Sequence, residues 1–222
     1  MTISTAEAAE RLGVSRRQVQ RLIAAGELPA QRTAGDAWLV DPVALNALNR
    51  ARPARGRPWT EETAWAALWW LSGLDVGWLG ARTEARLRER LRHVDPSSLV
   101  VACRRRAMTH RYRSSDSFIE ALGEAVALSG TSAATAARFG LATDATRVDG
   151  YCDGRAHDDL ATRFHLTPDT RGNVTLRVVD APPAGLLDRA AMPTAVIAAD
   201  LAESLEVRER SAGFRVLEEL LR

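Results

Sequence analysis

Lysine is absent from this chain of 222 residues, so all 30 of its basic side chains are arginines. We attribute the absence mainly to a GC-rich coding bias, so the choice of arginine at any single site carries little information. It does exclude nucleases that depend on a catalytic lysine. Cysteine is also scarce: Cys103 and Cys152 lie in strand-like stretches and fit reduced core residues rather than a disulfide framework.

Long apolar runs are missing too. No stretch reaches the roughly 18 residues that a membrane-spanning helix needs, and none resembles a signal peptide, so we expect a cytoplasmic protein. The chain has no glycine-rich loop that would cradle phosphates. No pair of acids follows Gly130, Thr131 and Ser132 at the spacing that nucleotidyltransferases use to hold magnesium. We therefore expect no enzyme activity, no cofactor and no metal site.

The composition that is present supports a normal core, with 46% hydrophobic residues, and its charge is uneven. Arginines outnumber acidic residues by 9 to 5 in residues 1–58 and by 10 to 6 in residues 59–115. In residues 116–222, by contrast, 11 arginines accompany 17 acidic residues. We expect the two basic regions to meet nucleic acid and the acidic region to face elsewhere.

Two short helices joined by a tight turn are predicted near the start of the chain. Ser4 followed by Glu7 is a capping-box pattern that begins a helix, and Gly13 ends it. Ser15 followed by Gln18 begins a second helix in the same way. That helix has an apolar side with Val19, Leu22 and Ile23 and a cationic side with Arg17, Gln20 and Arg21. The pair predicts a helix-turn-helix whose cationic side suits a DNA major groove.

A wing is predicted after these helices. Gly26 ends the second helix, and residues 28–32 and 37–40 have the character of two short strands around a turn at residues 33–36. Asp41 then caps a third helix. The order of helices and strands therefore predicts a small winged DNA-binding domain over residues 1–49.

This domain resembles the winged helix-turn-helix of excisionases and MerR-type regulators, through residues 8–15, 21–23 and 26–29 and Trp38. The resemblance implies that the second helix enters the major groove and that the wing follows the DNA backbone. The residues it implicates are Ser15, Arg16, Arg17, Gln18, Gln20, Arg21 and, near the wing, Arg32. One departure is Asp36 near the wing tip, where such wings often carry a basic residue. The alternative is a fold that is retained for protein contacts only.

Residues 50–58 are predicted to form a basic linker, because they contain Arg, Pro, Gly and Ala and no large apolar residue. Within the linker, Arg55, Gly56, Arg57 and Pro58 resemble an AT-hook, in which the arginines of an extended segment enter a narrow minor groove. Arg55 and Arg57 would make those contacts. A linker that is solvated, or docked on its own domain, is the alternative.

Residues 59–115 are predicted to form a second basic unit. A helix over residues 81–93 would carry a stripe of outward arginines, and residues 99–103 and 107–112 are predicted as the strands of a hairpin with a basic turn. Helices followed by a basic hairpin suggest a second winged helix that grips DNA phosphates. The alternative is an ordinary solvated helix, partly neutralised by an ion pair along its own surface. The arginines concerned are Arg82, Arg86, Arg90, Arg104, Arg105 and Arg106.

Residues 116–222 are predicted to form a mixed α/β domain with an acidic surface, so the whole chain is predicted to be α+β. The predicted helices cover residues 118–128, 131–139, 155–164 and the C-terminal stretch, and the predicted strands cover residues 147–152, 173–179 and 194–199. Three stretches, residues 129–134, 148–151 and 199–201, resemble the C-terminal domain of AbiEi-type antitoxins. Those proteins regulate type IV toxin-antitoxin operons whose toxin is a nucleotidyltransferase.

The two resemblances together imply a sequence-specific, double-stranded DNA-binding regulator that represses its own operon as an AbiEi-like antitoxin. Its implied partners are its own promoter DNA and a nucleotidyltransferase-type toxin, and a homodimer through the C-terminal domain would supply a second DNA-reading head. Two other functions stay open. In one, the acidic domain binds a protein partner such as a toxin and DNA binding is residual; in the other, the chain is an excisionase-like architectural protein that bends DNA.

A metal site formed by Asp149, Asp153 and His157 is a weaker alternative. The three residues recur every four positions, which would align them on one helix. Gly150 and Gly154 interrupt that helix, however, and we predict instead that Asp153 caps the helix that follows it.

Overall fold

The chain folds as two compact units, Met1–Arg55 and Gly56–Arg222. The computed structural model describes residues 2–24, 28–33, 35, 37–51, 58–133, 136–142, 144–180, 182–204 and 206–222. Both units combine helices with a sheet, which is the α+β class predicted from the sequence. Within the described ranges, no helix is both long and apolar enough to span a membrane.

The first unit is a helix-turn-helix with a β-hairpin wing. Its helices are α1 (Thr5–Leu12), α2 (Arg16–Ala24) and α3 (Pro42–Ala51), and its strands are β1 (Ile3–Ser4), β2 (Ala30–Arg32) and β3 (Trp38–Val40). The predicted helices and hairpin are confirmed. Strand β1, which pairs with β3 on the side opposite β2, was not predicted, because two residues are too few to show an alternating pattern.

Local hydrogen bonds explain why the two helices begin and end where they do. The Ser4 and Ser15 hydroxyls accept hydrogen bonds from the backbone N–H groups of Glu7 (3.2 Å) and Gln18 (3.3 Å), so both predicted caps are present. Gly13 has a φ of 62°, which only glycine adopts without strain, and it turns the chain between α1 and α2. The buried sides of the helices then meet in one core, formed by Ile3, Ala8, Ala9, Val19, Leu22, Leu28, Val40 and Leu45.

The second unit is built on a mixed five-stranded sheet. Its strands are β4 (Met108–Arg113), β5 (Ala127–Leu128), β6 (Val148–Asp153), β7 (Thr167–Pro168) and β8 (Val174–Val179). Its helices are α4 (Glu61–Leu71), α5 (Ala81–Leu91), α6 (Pro96–Cys103), α7 (Ile119–Glu124), α8 (Gly130–Ala133), α9 (Ala136–Phe139), α10 (Gly154–Arg163), α11 (Thr194–Ala202) and α12 (Val207–Leu220), with a 3-10 turn at Asp116–Phe118. The strand order is β5-β6-β8-β4-β7; β6 and β8 run parallel, and the other pairs are antiparallel.

The side chains of this sheet alternate between two apolar clusters on its opposite faces. On one face, Tyr151 and Val179 join a large cluster with residues of α4, α6, α11 and α12. On the other face, Cys152 and Leu176 join a smaller cluster with residues of α7 and α10. The large cluster runs from Trp59 to Leu217, so residues 59–103 share their core with the C-terminal part of the chain.

Two predicted strands are wrong, and with them the second winged helix. Residues 99–103 lie in α6, which Asp95 caps with a 2.9 Å hydrogen bond, and residues 194–199 lie in α11, which is almost entirely buried. Both are short apolar runs, for which periodicity cannot separate a buried strand from a buried helix. Strand β4 was predicted, but it pairs with β8 and β7 rather than with residues 99–103.

Several other predicted strands and helices of the second unit are present in the structure. Strands β6 and β8 and helix α10 are confirmed within one or two residues at each end, and the predicted C-terminal helix is present as α12. Asp153 caps α10, as predicted, by accepting a 2.7 Å hydrogen bond from the Ala156 N–H. The helix predicted over residues 118–128 is shorter, because the chain leaves α7 at Glu124 to form β5.

Candidate nucleic-acid interface

Helix α2 presents a cationic side to solvent. Its apolar residues Val19 and Leu22 are buried in the core of the first unit. Because the helix is anchored along that side, the opposite side faces outward, and the exposed polar residues there are Arg16, Arg17, Gln20 and Arg21. A side of this kind, on the second helix of a helix-turn-helix, is the surface that enters a major groove.

The other two polar residues of this region have intramolecular roles. The Ser15 hydroxyl is occupied as the cap of α2. The Gln18 side-chain oxygen accepts a hydrogen bond from the Arg21 guanidinium, which holds Arg21 against the helix surface. Arg16, Arg17 and Gln20 form no side-chain hydrogen bond or ion pair with any other residue in the described ranges, so their donors are available to a ligand.

The wing contributes one exposed arginine. The Arg32 guanidinium lies 5.5 Å from the centre of the Trp38 ring across the β2–β3 pair, which orients it on the wing surface. Asp36, which raised the question of the wing contact, lies outside the described residues. Arg55 and Arg57 of the AT-hook-like segment lie outside them as well.

Helix α5 of the second unit also carries an exposed basic stripe. Arg82, Arg86 and Arg90 lie on its surface at four-residue spacing, and the Arg90 guanidinium stacks 5.2 Å from the centre of the Trp59 ring. The predicted pairing of Glu84 with Arg88 is present. It neutralises Arg88 and leaves the charge of the stripe in place.

The three arginines of the predicted basic turn separate in the structure. Arg105 is exposed and Arg104 is partly buried, but Arg106 is only 2% exposed. The Arg106 guanidinium pairs with Asp200 and donates 3.1 Å hydrogen bonds to Glu203 and to the Tyr151 hydroxyl. The prediction that Arg106 contacts DNA phosphates is therefore wrong, because its charge is buried and neutralised inside the second unit.

Asp200 is the centre of a buried polar cluster that includes Arg106, Arg177, Tyr151 and Ser129. The Arg177 guanidinium lies 3.3 Å from the Asp200 carboxylate, and the Tyr151 hydroxyl donates a 3.0 Å hydrogen bond to it. Burial alone would raise the pKa of Asp200, but the charges of Arg177 and Arg106 bring it below its ordinary value. None of these residues was predicted to interact, because their partners lie far apart in the sequence.

Asp149, the neighbour of this cluster, is held by two parallel hydrogen bonds from Arg177, at 2.9 and 3.0 Å. Burial raises the pKa of its carboxyl group, and Arg177 offsets only part of that shift. His157 is held elsewhere, by the Tyr112 hydroxyl at 2.8 Å and by Asp158 at 2.9 Å. Asp149, Asp153 and His157 thus have three separate roles, and the described ranges contain no group of three His, Cys, Asp or Glu residues that could hold a metal ion.

Comparison with known proteins finds a match for the first unit. A family model described as a helix-turn-helix domain matches residues 2–52. No curated protein and no solved structure matches the chain. The match agrees with the geometry of α1 and α2, and the first unit is a helix-turn-helix domain.

Proposed function

We propose that this chain is a transcriptional regulator that reads a specific double-stranded DNA sequence through α2. The observation that carries the proposal is the outward side of α2, where Arg16, Arg17 and Gln20 are exposed and without a partner in the described part of the protein. Arginine can donate two parallel hydrogen bonds to guanine, and glutamine can pair with adenine in the same way. Catalysis forms no part of the proposal.

The mechanism that follows is occlusion of a promoter. Helix α2 would dock in the major groove. Contacts from the surrounding arginines to DNA phosphates would add binding affinity that decreases as the salt concentration rises. A binding assay with the DNA upstream of the protein's own gene tests this. We expect saturable binding that an unrelated duplex of equal length competes for poorly, and equal competition by both duplexes would contradict sequence-specific reading.

A single DNA-binding domain of this size buries little surface against DNA, so high affinity for a specific sequence requires a second contact with the DNA. We propose that the α5 stripe provides it by binding phosphates. The alternative is a homodimer that forms through the second unit and brings a second copy of the helix-turn-helix. Such a dimer would require two half-sites about 34 Å apart in the DNA. The stripe is the simpler source, because its three guanidinium groups are already exposed on one side of a helix.

Replacing Arg82, Arg86 and Arg90 with glutamine should weaken binding to all duplexes alike. With fewer phosphate contacts, binding releases fewer counterions from the DNA. The slope of log K, the binding constant, against log salt concentration should therefore become shallower by roughly 2 to 3. Fluorescence anisotropy at four or more salt concentrations measures that slope. The control replaces Arg88 and Arg92, which are paired with Glu84 and Glu89. An unchanged slope in the triple variant would show that α5 is only a solvated surface.

We further propose that the regulator is an AbiEi-like antitoxin. Support comes from the three stretches that resemble such proteins, because they meet at one carboxylate: Ser129 and Tyr151 both donate hydrogen bonds to Asp200. Ser129 is 71 positions and Tyr151 is 49 positions from Asp200 in the chain, so the three separate stretches that carry the resemblance come together at one place in the fold.

The antitoxin proposal predicts that this chain protects cells from the product of an adjacent gene. If that product is a nucleotidyltransferase-type toxin that arrests growth, co-expression of the chain should restore growth. The toxin is expressed from an unrelated promoter, so that repression of the operon cannot restore growth. If a variant with Arg17 and Arg21 replaced by alanine then still restores growth, the chain neutralises the toxin directly. Growth arrest that persists with the wild-type chain would overturn the antitoxin role and leave DNA binding untouched.

A further inference from the structure

The second unit contains a small, open polar cleft. It lies where the first residues of β6 and β8 approach the turn between α11 and α12. Asp149, Thr175 and Arg111 are register partners across β6, β8 and β4, so three adjacent strands carry polar residues at one level of the sheet. Most of this sheet face is covered by the large apolar cluster. Around Asp149, Thr175 and Arg111, the same sheet face is polar and open to solvent instead.

The charged residues that line the cleft are three arginines and three acids: Arg111, Arg147, Arg177, Asp149, Asp200 and Glu209. Arg177 holds Asp149 with two hydrogen bonds, and Asp200 is neutralised by Arg106 and Arg177. Arg111, whose charge also acts on Asp149, and Arg147, whose charge acts on Glu209, complete the charged lining. Burial raises the pKa of Glu209. The three arginines of the lining therefore match its three carboxylates in number, and an anion would be held by hydrogen-bond donors rather than by an excess of positive charge.

Hydrogen-bond donors surround the same space. The hydroxyls of Thr131 and Thr175 and the guanidinium of Arg147 line the cleft and make no side-chain hydrogen bond with another residue of the described part. They come from three separate segments, at the start of α8, in β8 and just before β6. Donors that converge from several directions suit a tetrahedral anion, whereas a planar carboxylate is held by a fork of two parallel donors.

From this arrangement we infer that the cleft binds a phosphate group, either as inorganic phosphate or as the monoester group of a small metabolite. Thr131, Thr175 and Arg147 donate to its oxygens. Arg177, whose side chain is 5% exposed, is held rigidly beneath them by Asp149 and Asp200. The site belongs to the second unit, so it does not depend on DNA reading by α2.

The test is calorimetric titration of the full chain with inorganic phosphate, at ionic strength held constant with chloride. We expect saturable binding that weakens about tenfold in Arg147→Gln and in Thr175→Val, because each variant removes one donor to a charged acceptor. Arg155→Gln and Thr170→Val change exposed residues outside the cleft and should bind as the wild type does. Circular dichroism melting checks that each variant is folded, and Arg147→Gln keeps the test decisive if Thr175→Val does not fold.

A second arm distinguishes the two sources of phosphate. Ribose 5-phosphate that binds more tightly than inorganic phosphate would assign the site to a monoester, and equal or weaker binding would assign it to the free ion. The absence of saturable binding for both ligands, or cleft variants that bind as tightly as the wild type, would overturn the inference. Binding by a variant with Arg17 and Arg21 replaced would show that the site is separate from the DNA-reading surface.

Discussion

Replacing Asp200 with alanine should lower the free energy of unfolding of the second unit by about 3 to 5 kcal/mol, the usual result of breaking a buried ion pair from one side. Asp200 is 2% exposed and contacts Arg106, Arg177, Tyr151 and Ser129. Without it, two buried guanidinium groups lose their shared carboxylate. Glu203 lies 3.1 Å from Arg106 and 3.7 Å from Arg177, so it compensates only in part.

Urea unfolding followed by tryptophan fluorescence measures this effect selectively. Five of the six tryptophans, all except Trp38, lie in the second unit, so the signal reports mainly on that unit. Asp200→Asn should be less damaging than Asp200→Ala, because the amide keeps the shape and an acceptor oxygen. Asp188→Ala, at an exposed position, is the control. A loss below about 1 kcal/mol for Asp200→Ala would show that the cluster behaves like a surface ion pair.

Replacing Arg17 and Arg21 together with alanine should remove specific DNA binding by the first unit. A base-reading arginine contributes about 1 to 3 kcal/mol, so loss of both should weaken binding to the cognate duplex by roughly thirty- to twenty-thousand-fold. Arg17 is the more direct test, because Arg21 is already held by Gln18 within the helix. Competition titrations against the protein's own upstream DNA measure the change.

The matched control replaces Arg215 and Arg222, which removes the same charge from exposed, ion-paired positions in the second unit. Because Arg17 and Arg21 are exposed, both variants should unfold at the temperature of the wild type. If the Arg17 and Arg21 variant still prefers the cognate duplex over an unrelated one, α2 is not the element that reads the sequence.

The first unit was predictable from sequence because its signals are local. Each cap acts over three residues, as Ser4 does with Glu7 and Ser15 with Gln18. The turn at Gly13 needs only the conformational freedom of one glycine. Such signals do not depend on how the rest of the chain is packed, and they place the cationic side of α2 as well as its helix.

The second unit was less predictable because its elements depend on distant contacts. Helix α11 is buried on every side, so its sequence lacks the alternation between apolar and polar residues that marks a surface helix. Helix α6 gives the same ambiguous pattern over its apolar half. Only the packing of both helices against the sheet excludes the extended conformation that their apolar residues would also have permitted.

The arginines of this chain show most clearly which features the sequence determines and which depend on the tertiary structure. The sequence by itself determined a helix-turn-helix with an outward row of arginines on α2, since helical spacing alone sets which side chains share a side. It did not distinguish Arg105, which is exposed, from Arg106, which is buried. Tertiary structure decided that difference, because the partner of Arg106, Asp200, lies 94 residues away and becomes a neighbour only when α11 packs on the sheet.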